Sequence, residues 1–228
     1  MNQSNWQSSE MQTRLRRAIE GLDEADAVVL AREALEAGLS PLDFFRSVIE
    51  PVLTAIGDAF SRLEVFLPDL MRAGVIVKAI QSEVLEPAIR QSGGASTSEG
   101  TVVIGTAQGD IHDIGKNMVA LMLQVNGFRV ADMGTNVSTQ AIIDAARREN
   151  ADIIAMSSLL TTSLPFIKDV LARLDAAGER KRFMVVAGGA PVTTEWSQAA
   201  GLDGFAEDAI EAVAMCRGLM AGRKGVAS

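Results

Sequence analysis

The stretch Thr101-Val-Val-Ile-Gly-Thr-Ala-Gln-Gly-Asp-Ile-His-Asp-Ile-Gly-Lys-Asn117 decides how the second half of this 228-residue chain folds. It begins with a short run rich in β-branched residues, a pattern typical of a buried strand. Where a helix would normally follow at once, the chain has an extended loop that carries His112, its single histidine. We therefore expect a strand over Thr101–Thr106, with His112 facing a ligand crevice at its carboxyl end.

Further runs of this kind follow, separated by stretches with helical spacing. This alternation predicts a parallel sheet wrapped by helices. Right-handed crossovers make an open, doubly wound sheet of the Rossmann or flavodoxin type, and such sheets bind ligands outside the carboxyl ends of their strands. The expected further strands are Phe128–Met133, Asp152–Met156, Phe183–Ala187 and a weaker Gly204–Ala206.

The first half of the chain has a different pattern. Apolar residues recur at helical spacing, with Ser40-Pro41 and Leu67-Pro68 as start signals, and predict an all-α bundle of four helices. The small, polar and glycine-rich stretch Gln91–Gly100 has the composition of a linker. We therefore expect a helical domain over residues 1–90, a linker over 91–100 and an α/β domain over 101–228. The expected helical segments are Arg14–Ala37, Leu42–Phe60, Leu67–Ile80 and Gln81–Ile89.

Composition excludes several function classes. The formal net charge of -8 would repel a nucleic-acid backbone, and aromatic residues, which could stack on bases, make up only 4% of the chain. Cys216 is the single cysteine, so it cannot form an internal disulfide. We find neither a signal-peptide pattern nor an apolar run of membrane-spanning length. We therefore expect a cytoplasmic protein that binds neither nucleic acid nor a membrane.

His112 and Asp110 have the spacing of a metal-binding imidazole and its supporting carboxylate. A carboxylate two residues before the histidine can accept a hydrogen bond from one ring nitrogen, which orients the other toward a metal. Gly109 and Gly115 let the backbone turn sharply and approach a bulky ligand. By itself, however, a lone histidine in a loop is more often structural or a surface residue.

Three other strand ends supply residues to the same edge of the predicted sheet. Hydroxyl groups follow the third strand in Ser157–Ser163, the pair Gly188-Gly189 follows the fourth, and Glu207-Asp208-Ala209 follows the fifth. Taken singly, the hydroxyl run is more often a helix cap and the glycine pair a turn. Together they line one crevice with His112.

These motifs together resemble the signature of B12-binding domains. The resemblance extends over essentially the whole chain, because the stretch Phe66-Leu67-Pro68-Asp69 is similar to the helical cap of methionine synthase and of corrinoid methyltransferase proteins. It is strongest to the free-standing corrinoid proteins of methanol- and methylamine-type methyltransferase systems. The motifs that carry it are Asp110-x-His112-x-x-Gly115, Ser157-x-Leu159 and Gly188-Gly189.

The resemblance implies a cobalamin or a related corrinoid, with methylcobalamin as the loaded form. His112 is then the lower cobalt ligand, and a relay runs from Ser157 to Asp110 to His112. Phe66-Leu67-Pro68 would cover the upper face of the cofactor, although Phe66, Leu67 and Ile76 are equally compatible with plain bundle core. The implied tail slot is lined by Ser157, Leu159, Thr161, Gly188 and Gly189, and the other implied cofactor contacts are Gly109, Asp110, Ile111, Asp113, Ile114, Gly115 and Ala209.

The function implied by the resemblance is that of a methyl carrier without substrate selectivity of its own. A substrate-specific methyltransferase would load cobalt(I), an acceptor methyltransferase acting on a thiol or tetrahydrofolate would unload it, and a reductive activase would rescue cobalt(II). Two alternatives stay open. A B12-dependent light or ligand sensor usually has a DNA-binding module and a second histidine. A mutase subunit usually lacks the helical cap.

Overall fold

A computed structural model describes residues 3–21, 23–92 and 99–226. The chain divides into two compact units, Met1–Ser92 and Gly93–Ser228. The first is helical and the second is a five-stranded parallel α/β sheet, which confirms the predicted fold class. The predicted linker Gln91–Gly100 falls across the division, but its residues 93–98 lie outside the described ones. Within the described ranges, no helix combines the length and apolar character needed to cross a membrane.

The described part of the helical unit contains six α-helices, two pairs of which are joined into continuous rods. A π-helical turn, Phe45–Ile49, connects the third helix to the fourth, and a second, Gln81–Leu85, connects the fifth to the sixth. These residues of the unit therefore form four rods. The helices are α1 (Gln3–Glu20), α2 (Glu24–Glu36), α3 (Pro41–Phe44), α4 (Glu50–Ser61), α5 (Leu67–Ile80) and α6 (Glu86–Ser92).

The prediction of one continuous helix over Arg14–Ala37 is wrong, because the helix is interrupted between α1 and α2. Gly21 follows the last turn of α1, and its amide still donates to the carbonyl of Arg17 at 2.8 Å. Asp23 then caps α2 by accepting a hydrogen bond from the amide of Asp26 at 2.9 Å. A helix ends readily at glycine and begins readily at aspartate, so the two residues together interrupt one apolar stripe.

Both π-helical turns precede a Glu-Pro pair, in the matching sequences Val48-Ile-Glu-Pro-Val-Leu53 and Val84-Leu-Glu-Pro-Ala-Ile89. Proline lacks an amide hydrogen, and its ring clashes with the carbonyl one turn earlier, so the helix must widen or kink to continue. The apolar pair before each Glu-Pro is buried in the unit. The two rods thus use the same local device to continue past a proline.

Leu63 occupies an unusual position after α4. It adopts the left-handed backbone conformation (φ 62°) although its side chain is 78% exposed. Its amide donates to the carbonyl of Phe60, and the amide of Glu64 donates to that of Ala59, a helix ending that glycine favours. A leucine here therefore strains the backbone without contributing to the core.

Replacing Leu63 by glycine should raise the free energy of unfolding by up to about 1 kcal/mol. The left-handed conformation costs a non-glycine residue about 1–2 kcal/mol, and the greater freedom of glycine in the unfolded chain offsets part of this gain. Urea unfolding of the cofactor-free protein measures the change. Leu63→Asn should give a smaller gain, since asparagine tolerates this conformation better than leucine does. A loss of stability in both variants would contradict this account.

The second unit is an open sheet with the strand order β2-β1-β3-β4-β5, all parallel. Each predicted strand agrees with an observed one to within a residue at either end. The strands are β1 (Gly100–Thr106), β2 (Phe128–Asp132), β3 (Ile153–Ser157), β4 (Met184–Gly188) and β5 (Gly204–Ala206). The helices between and after them are α7 (Ile114–Val125), α8 (Thr139–Arg148), α9 (Leu164–Ala176), α10 (Thr194–Ala200) and α11 (Ala209–Val226).

Alternate residues of the strands enter two separate cores, one on each face of the sheet. Val103 and Ile154 pack with apolar residues of α8 and α9 on one face. Val102 and Ile153 pack with residues of α7 and α11 on the other. Helices that cover both faces bury most of the inner strands β1, β3 and β4, so the ends of these strands and their loops are their accessible part.

Candidate functional site

The point at which the strand order reverses lies between β1 and β3, which are neighbours in the sheet. The chain leaves β1 toward α7 on one face and leaves β3 toward α9 on the other. The loops that follow these strands therefore diverge and leave a crevice between them, the usual ligand site of such a sheet. His112 and Leu159 stand on these two loops.

The loop after β1 is held by its own backbone and by the end of the strand. The buried Thr106 hydroxyl donates to the carbonyl of His112 at 2.9 Å. The amide of Ala107 donates to the carbonyl of Ser157 at 2.9 Å, and that of Asp110 donates to the carbonyl of Ala107 at 3.0 Å. The histidine is therefore carried by a backbone with fixed hydrogen bonds on both sides.

Asp110 is fully buried and accepts four hydrogen bonds. Its Oδ1 atom lies 2.6 Å from Nδ1 of His112 and accepts from the amide of His112 at 3.0 Å. Its Oδ2 atom accepts from the amides of Leu159 at 2.6 Å and Leu160 at 3.2 Å. One carboxylate thus joins the loop after β1, residues 107–113, to the loop after β3. We call the first of these the histidine loop.

These contacts indicate that the carboxylate of Asp110 is ionised and that Nδ1 of His112 carries a hydrogen. Burial raises the pKa of Asp110, but the amides of His112 and Leu159 and the imidazole lower it more, so its pKa lies below the ordinary value. An ionised carboxylate can only accept, so Nδ1 of His112 carries the hydrogen. In the neutral imidazole the lone pair is then on Nε2, on a side chain that is 50% exposed. His112 is thereby prepared to bind a metal through Nε2.

The Ser157 hydroxyl, the first member of the predicted relay, is not among the four hydrogen-bond donors to Asp110. The Ser157 hydroxyl makes no hydrogen bond to Asp110 in the described part of the chain, because the amides of Leu159 and Leu160 occupy the free carboxylate oxygen. Ser157 contributes instead through its carbonyl, which accepts from Ala107. The connection across the crevice is therefore made by backbone, which has no side-chain signature in the sequence.

Replacing Asp110 by asparagine should lower the free energy of unfolding of the cofactor-free protein by about 1–3 kcal/mol. Four N–H groups point at the carboxylate, and an amide offers them only one oxygen. Its NH2 group would face at least one backbone N–H in either orientation. Because the folded pKa of Asp110 is lowered, the stability it contributes is present above its unfolded pKa and is lost as the pH falls through the folded value.

Urea unfolding at several pH values tests this expectation. The gap between the wild type and Asp110→Asn should be full at neutral pH and should shrink below the ordinary aspartate pKa of 3.8. Asp169→Asn is the matched control, because Asp169 is partly exposed and its ion pair, with Arg173, lies within its own helix. We expect it to cost no more than about 0.5 kcal/mol. An equal cost in both variants would contradict the assigned role of Asp110.

The glycine pair at the end of β4, Gly188-Gly189, is required by close backbone packing. A Cβ atom on Gly189, which has φ 112°, would lie 2.0 Å from the carbonyl oxygen of Ser158, and one on Gly188 would lie 2.8 Å from that of Ala206. The Ser158 carbonyl and the Leu159 amide belong to the same peptide group and point in opposite directions. Gly189 therefore lets this peptide lie where its amide reaches Asp110.

The remaining predicted site residues are two glycines, two exposed apolar residues and four residues at the starts of helices or turns. Gly109 (φ 84°) allows the loop to turn, whereas Gly115 lies in the first turn of α7, where a Cβ atom would meet nothing within 4 Å. Two exposed apolar side chains stand on the two loops: Ile111, 73% exposed, lies between Asp110 and His112 in the sequence, and Leu159, 49% exposed, follows β3. Asp113 and Ile114 lie at the start of α7, Thr161 begins a 3-10 turn, and Ala209 is buried at the start of α11.

Phe66 belongs to the first unit and stands at the start of α5, where its amide donates to the Asp69 carboxylate at 3.1 Å. Its side chain is 65% exposed, and that of Leu67 is also exposed, so neither is bundle core. Ile76, in contrast, is buried in the unit. The plain core interpretation thus applies to Ile76 alone among these three residues.

Four further polar residues support the site, of which the sequence indicated Ser158 and Ser163 only as members of the hydroxyl run and did not indicate the other two. The buried hydroxyls of Ser158 and Ser163 lie 2.6 Å apart, and both lie within hydrogen-bonding distance of the carbonyl of Leu160. Each hydroxyl has one hydrogen to donate, so the two form two hydrogen bonds in this group, which shape the loop after β3. Thr106 bonds the histidine carbonyl. Asn136, in the loop after β2, accepts from the amide of Gly109 at 2.8 Å. Only the position of Thr106, last in its strand, could have indicated its role.

The residues present fit a metal that brings most of its own ligands. Among the described residues, no three His, Cys, Asp or Glu side chains are grouped to hold a bare ion. His112 offers a single oriented nitrogen, with apolar side chains nearby on both loops. A macrocycle that supplies the in-plane donors of its metal would need one imidazole and an apolar surface, and this crevice has both.

Comparison with known proteins identifies such a macrocycle. Two family models, both described as a B12 binding domain, match residues 100–214 and 11–83. The dimethylamine corrinoid protein 1 of Methanosarcina acetivorans is 39% identical over 196 residues, which cover 86% of this chain and 91% of the relative. The predicted family and corrinoid cofactor are thereby confirmed.

Two solved structures extend the comparison to the fold. The monomethylamine corrinoid protein of Methanosarcina barkeri matches with a TM-score of 0.84 and 33% identity, over 92% of this chain and 99% of that one. A chain of the methanol:cobalamin methyltransferase complex MtaBC from the same organism matches with a TM-score of 0.52 and 28% identity, over 93% and 80%. The chain therefore belongs to the B12-binding corrinoid proteins of methyltransferase systems, and it binds a corrinoid cofactor.

Proposed function

We propose that this protein carries a methyl group on a corrinoid cobalt between two methyltransferases, with His112 as the lower cobalt ligand. One observation carries the proposal. The buried, ionised Asp110 accepts a hydrogen bond from Nδ1 of His112 at 2.6 Å and so leaves Nε2 free on a half-exposed ring. A carboxylate partner of this kind orients a metal-binding imidazole and increases its basicity.

The cobalt supplies a nucleophile when reduced and holds the methyl group until it is transferred. The role of the protein chain is to bind the cofactor and to orient the imidazole. Leu159 and Leu160 hold Asp110 through their amides, and Asp110 holds the imidazole. Ligation by a neutral, oriented imidazole favours the higher oxidation states of cobalt, whereas cobalt(I) favours no lower ligand. The strength with which His112 is held therefore helps to balance loading against release.

We assign the cofactor tail to a slot lined by Ser157, Leu159, Thr161, Gly188 and Gly189. The two glycines would form its backbone wall, because each packs closely against a neighbouring carbonyl. Exposed apolar side chains at Ile111 and Leu159 would contact the macrocycle, and the exposed Phe66 would contact its upper face. The other residues assigned to cofactor contacts are Gly109, Asp110, Asp113, Ile114, Gly115 and Ala209.

The proposed partners follow from the chemistry of a carrier. A substrate-specific methyltransferase would load the cobalt, by analogy with the methanol:cobalamin methyltransferase complex MtaBC. A second methyltransferase would pass the methyl group to a thiol or to tetrahydrofolate. A reductive activase would return accidentally oxidised cobalt(II) to cobalt(I). Since cobalt(I) survives only in a reducing compartment, we place the protein in the cytoplasm.

A spectroscopic methylation cycle tests the proposal. The purified chain is reconstituted with hydroxocobalamin, reduced with titanium(III) citrate, and offered methylated amines or methanol, each with a methyltransferase specific for it. We expect one donor class to place one methyl group per chain, and a thiol or tetrahydrofolate methyltransferase to remove it. If no donor methylates the chain, and light instead changes its oligomeric state, the protein is a sensor.

A further inference from the structure

The connection between β2 and α8, residues 133–138, runs beside the histidine loop. The amide of Thr106 donates to the carbonyl of Gly134 at 3.0 Å, and that of Val137 donates to the carbonyl of Thr106 at 2.9 Å. Val137 also forms an isolated parallel bridge with Ala107. This connection, which we call the β2–α8 loop, therefore extends the pairing of the sheet up to the start of the histidine loop.

Asn136 makes two hydrogen bonds from this loop to successive residues of the histidine loop. Its side-chain Oδ1 atom accepts from the backbone amide of Gly109 at 2.8 Å. Its backbone amide donates to the carbonyl of Asp110 at 2.9 Å. It does so in the left-handed backbone conformation (φ 52°), which asparagine tolerates better than most residues. Asn136 thus fixes the backbone directly before His112.

The far end of the histidine loop is held from β2 as well. Lys116, whose side chain is only 1% exposed, pairs with Asp132 at the end of β2, and its Nζ atom also donates to Oδ1 of Asn117 at 2.7 Å. Oδ1 of Asp132 in turn accepts from the amide of Gly134 at 2.8 Å. The histidine loop is therefore anchored to β2 and to the loop after it at both ends.

We propose that Asn136 is a positioning residue for cobalt ligation: by holding Gly109 and Asp110 it places His112 and sets how firmly the imidazole binds cobalt(II). The inference rests on the proposed function. Reduction of cobalt(II) to cobalt(I) takes up one electron and releases the imidazole, so firmer ligation lowers the midpoint potential. Loosening the loop should therefore raise that potential, by about 59 mV for each tenfold loss in the ligation constant.

Asn136→Gly is the informative variant, because glycine keeps the left-handed backbone and removes only the side-chain acceptor. Asn136→Asp restores an acceptor and should restore the wild-type behaviour. The matched control is Asn150→Gly. Asn150 is also left-handed (φ 48°), but it precedes β3 and so lies at the amino ends of the strands, away from the site. All three variants are tested as the full chain.

Two measurements separate positioning from a general loss of structure. In the cofactor-free protein, hydrogen exchange of the Gly109 and His112 amides should become about threefold to tenfold faster in Asn136→Gly, the range that one ordinary hydrogen bond contributes. In the cobalamin-bound protein, titration with titanium(III) citrate should give a midpoint potential raised by the corresponding amount. Asn136→Asp and Asn150→Gly should leave both quantities close to the wild type.

Equal potentials for wild type and Asn136→Gly would overturn the inference, and so would an equal shift in Asn150→Gly. The potential of His112→Ala identifies which statement has failed. If His112→Ala shifts the potential and Asn136→Gly does not, His112 is the ligand and Asn136 does not position it. If His112→Ala leaves the potential unchanged, His112 does not ligate cobalt and the proposed function itself is wrong.

Discussion

Substitution of His112 by alanine is expected to abolish the imidazole-bound form of the reconstituted protein completely. His112 is the only imidazole that this chain can offer to cobalt, and nothing else in the described residues near it forms a cluster of metal-ligating groups. The visible spectrum should change to that of a corrinoid with water in the lower position. The electron paramagnetic resonance of the cobalt(II) form should lose the coupling to a ligand nitrogen.

Two controls separate loss of a ligand from loss of the fold. The His112 side chain is half exposed, and its removal takes away one of the four hydrogen bonds to Asp110. The free energy of unfolding of the cofactor-free protein should therefore fall by no more than about 1.5 kcal/mol. Added free imidazole should restore a nitrogen-bound spectrum in the variant. An unchanged spectrum in His112→Ala would remove the basis for assigning the lower ligand.

The strands were predictable because buried parallel strands have short runs of β-branched residues in their sequences. Each of the five predicted strands agrees with the structure to within a residue at its ends. The helical unit was less predictable. The break at Gly21 and Asp23 interrupts a segment whose apolar spacing continues on both sides of it. The π-helical turns before Pro51 and Pro87 let helices continue where proline normally indicates an end.

The candidate site shows where a sequence stops being informative. Asp110 and His112 lie two residues apart, so their hydrogen bond could be predicted from local spacing and is present. The other contacts of Asp110 come from the amides of Leu159 and Leu160, which any residue could supply at those positions. A serine hydroxyl was the only visible candidate for that contact. Asn136 could not be predicted for the same reason, since its partners are backbone groups.

Replacing Gly189 by alanine should be the most destabilising single change in the α/β unit, with a loss of more than about 4 kcal/mol or failure to fold. The new Cβ atom would lie 2.0 Å from the Ser158 carbonyl oxygen, and φ of 112° is itself unfavourable for alanine. The obstacle is backbone, which cannot rotate away as a side chain can. Ser158 is moreover bound to the next strand, since its amide donates to the carbonyl of Gly188 at 3.0 Å.

Gly115→Ala is the matched comparison, because both changes add one methyl group to a glycine of the proposed cofactor site. Gly115 lies in the first turn of α7 with nothing within 4 Å of the added atom. Alanine there should raise the stability of the cofactor-free protein by about 0.5–1 kcal/mol, because glycine is a poor helix former.

If the space beside Gly115 is where the corrinoid approaches, the same variant should bind hydroxocobalamin more weakly. Urea unfolding and cobalamin titration of both variants thus separate a glycine needed by the fold from one needed by the ligand. A stable Gly189→Ala protein that binds cobalamin normally would show that the peptide of Ser158 and Leu159 can move without disturbing Asp110, and that His112 does not depend on it.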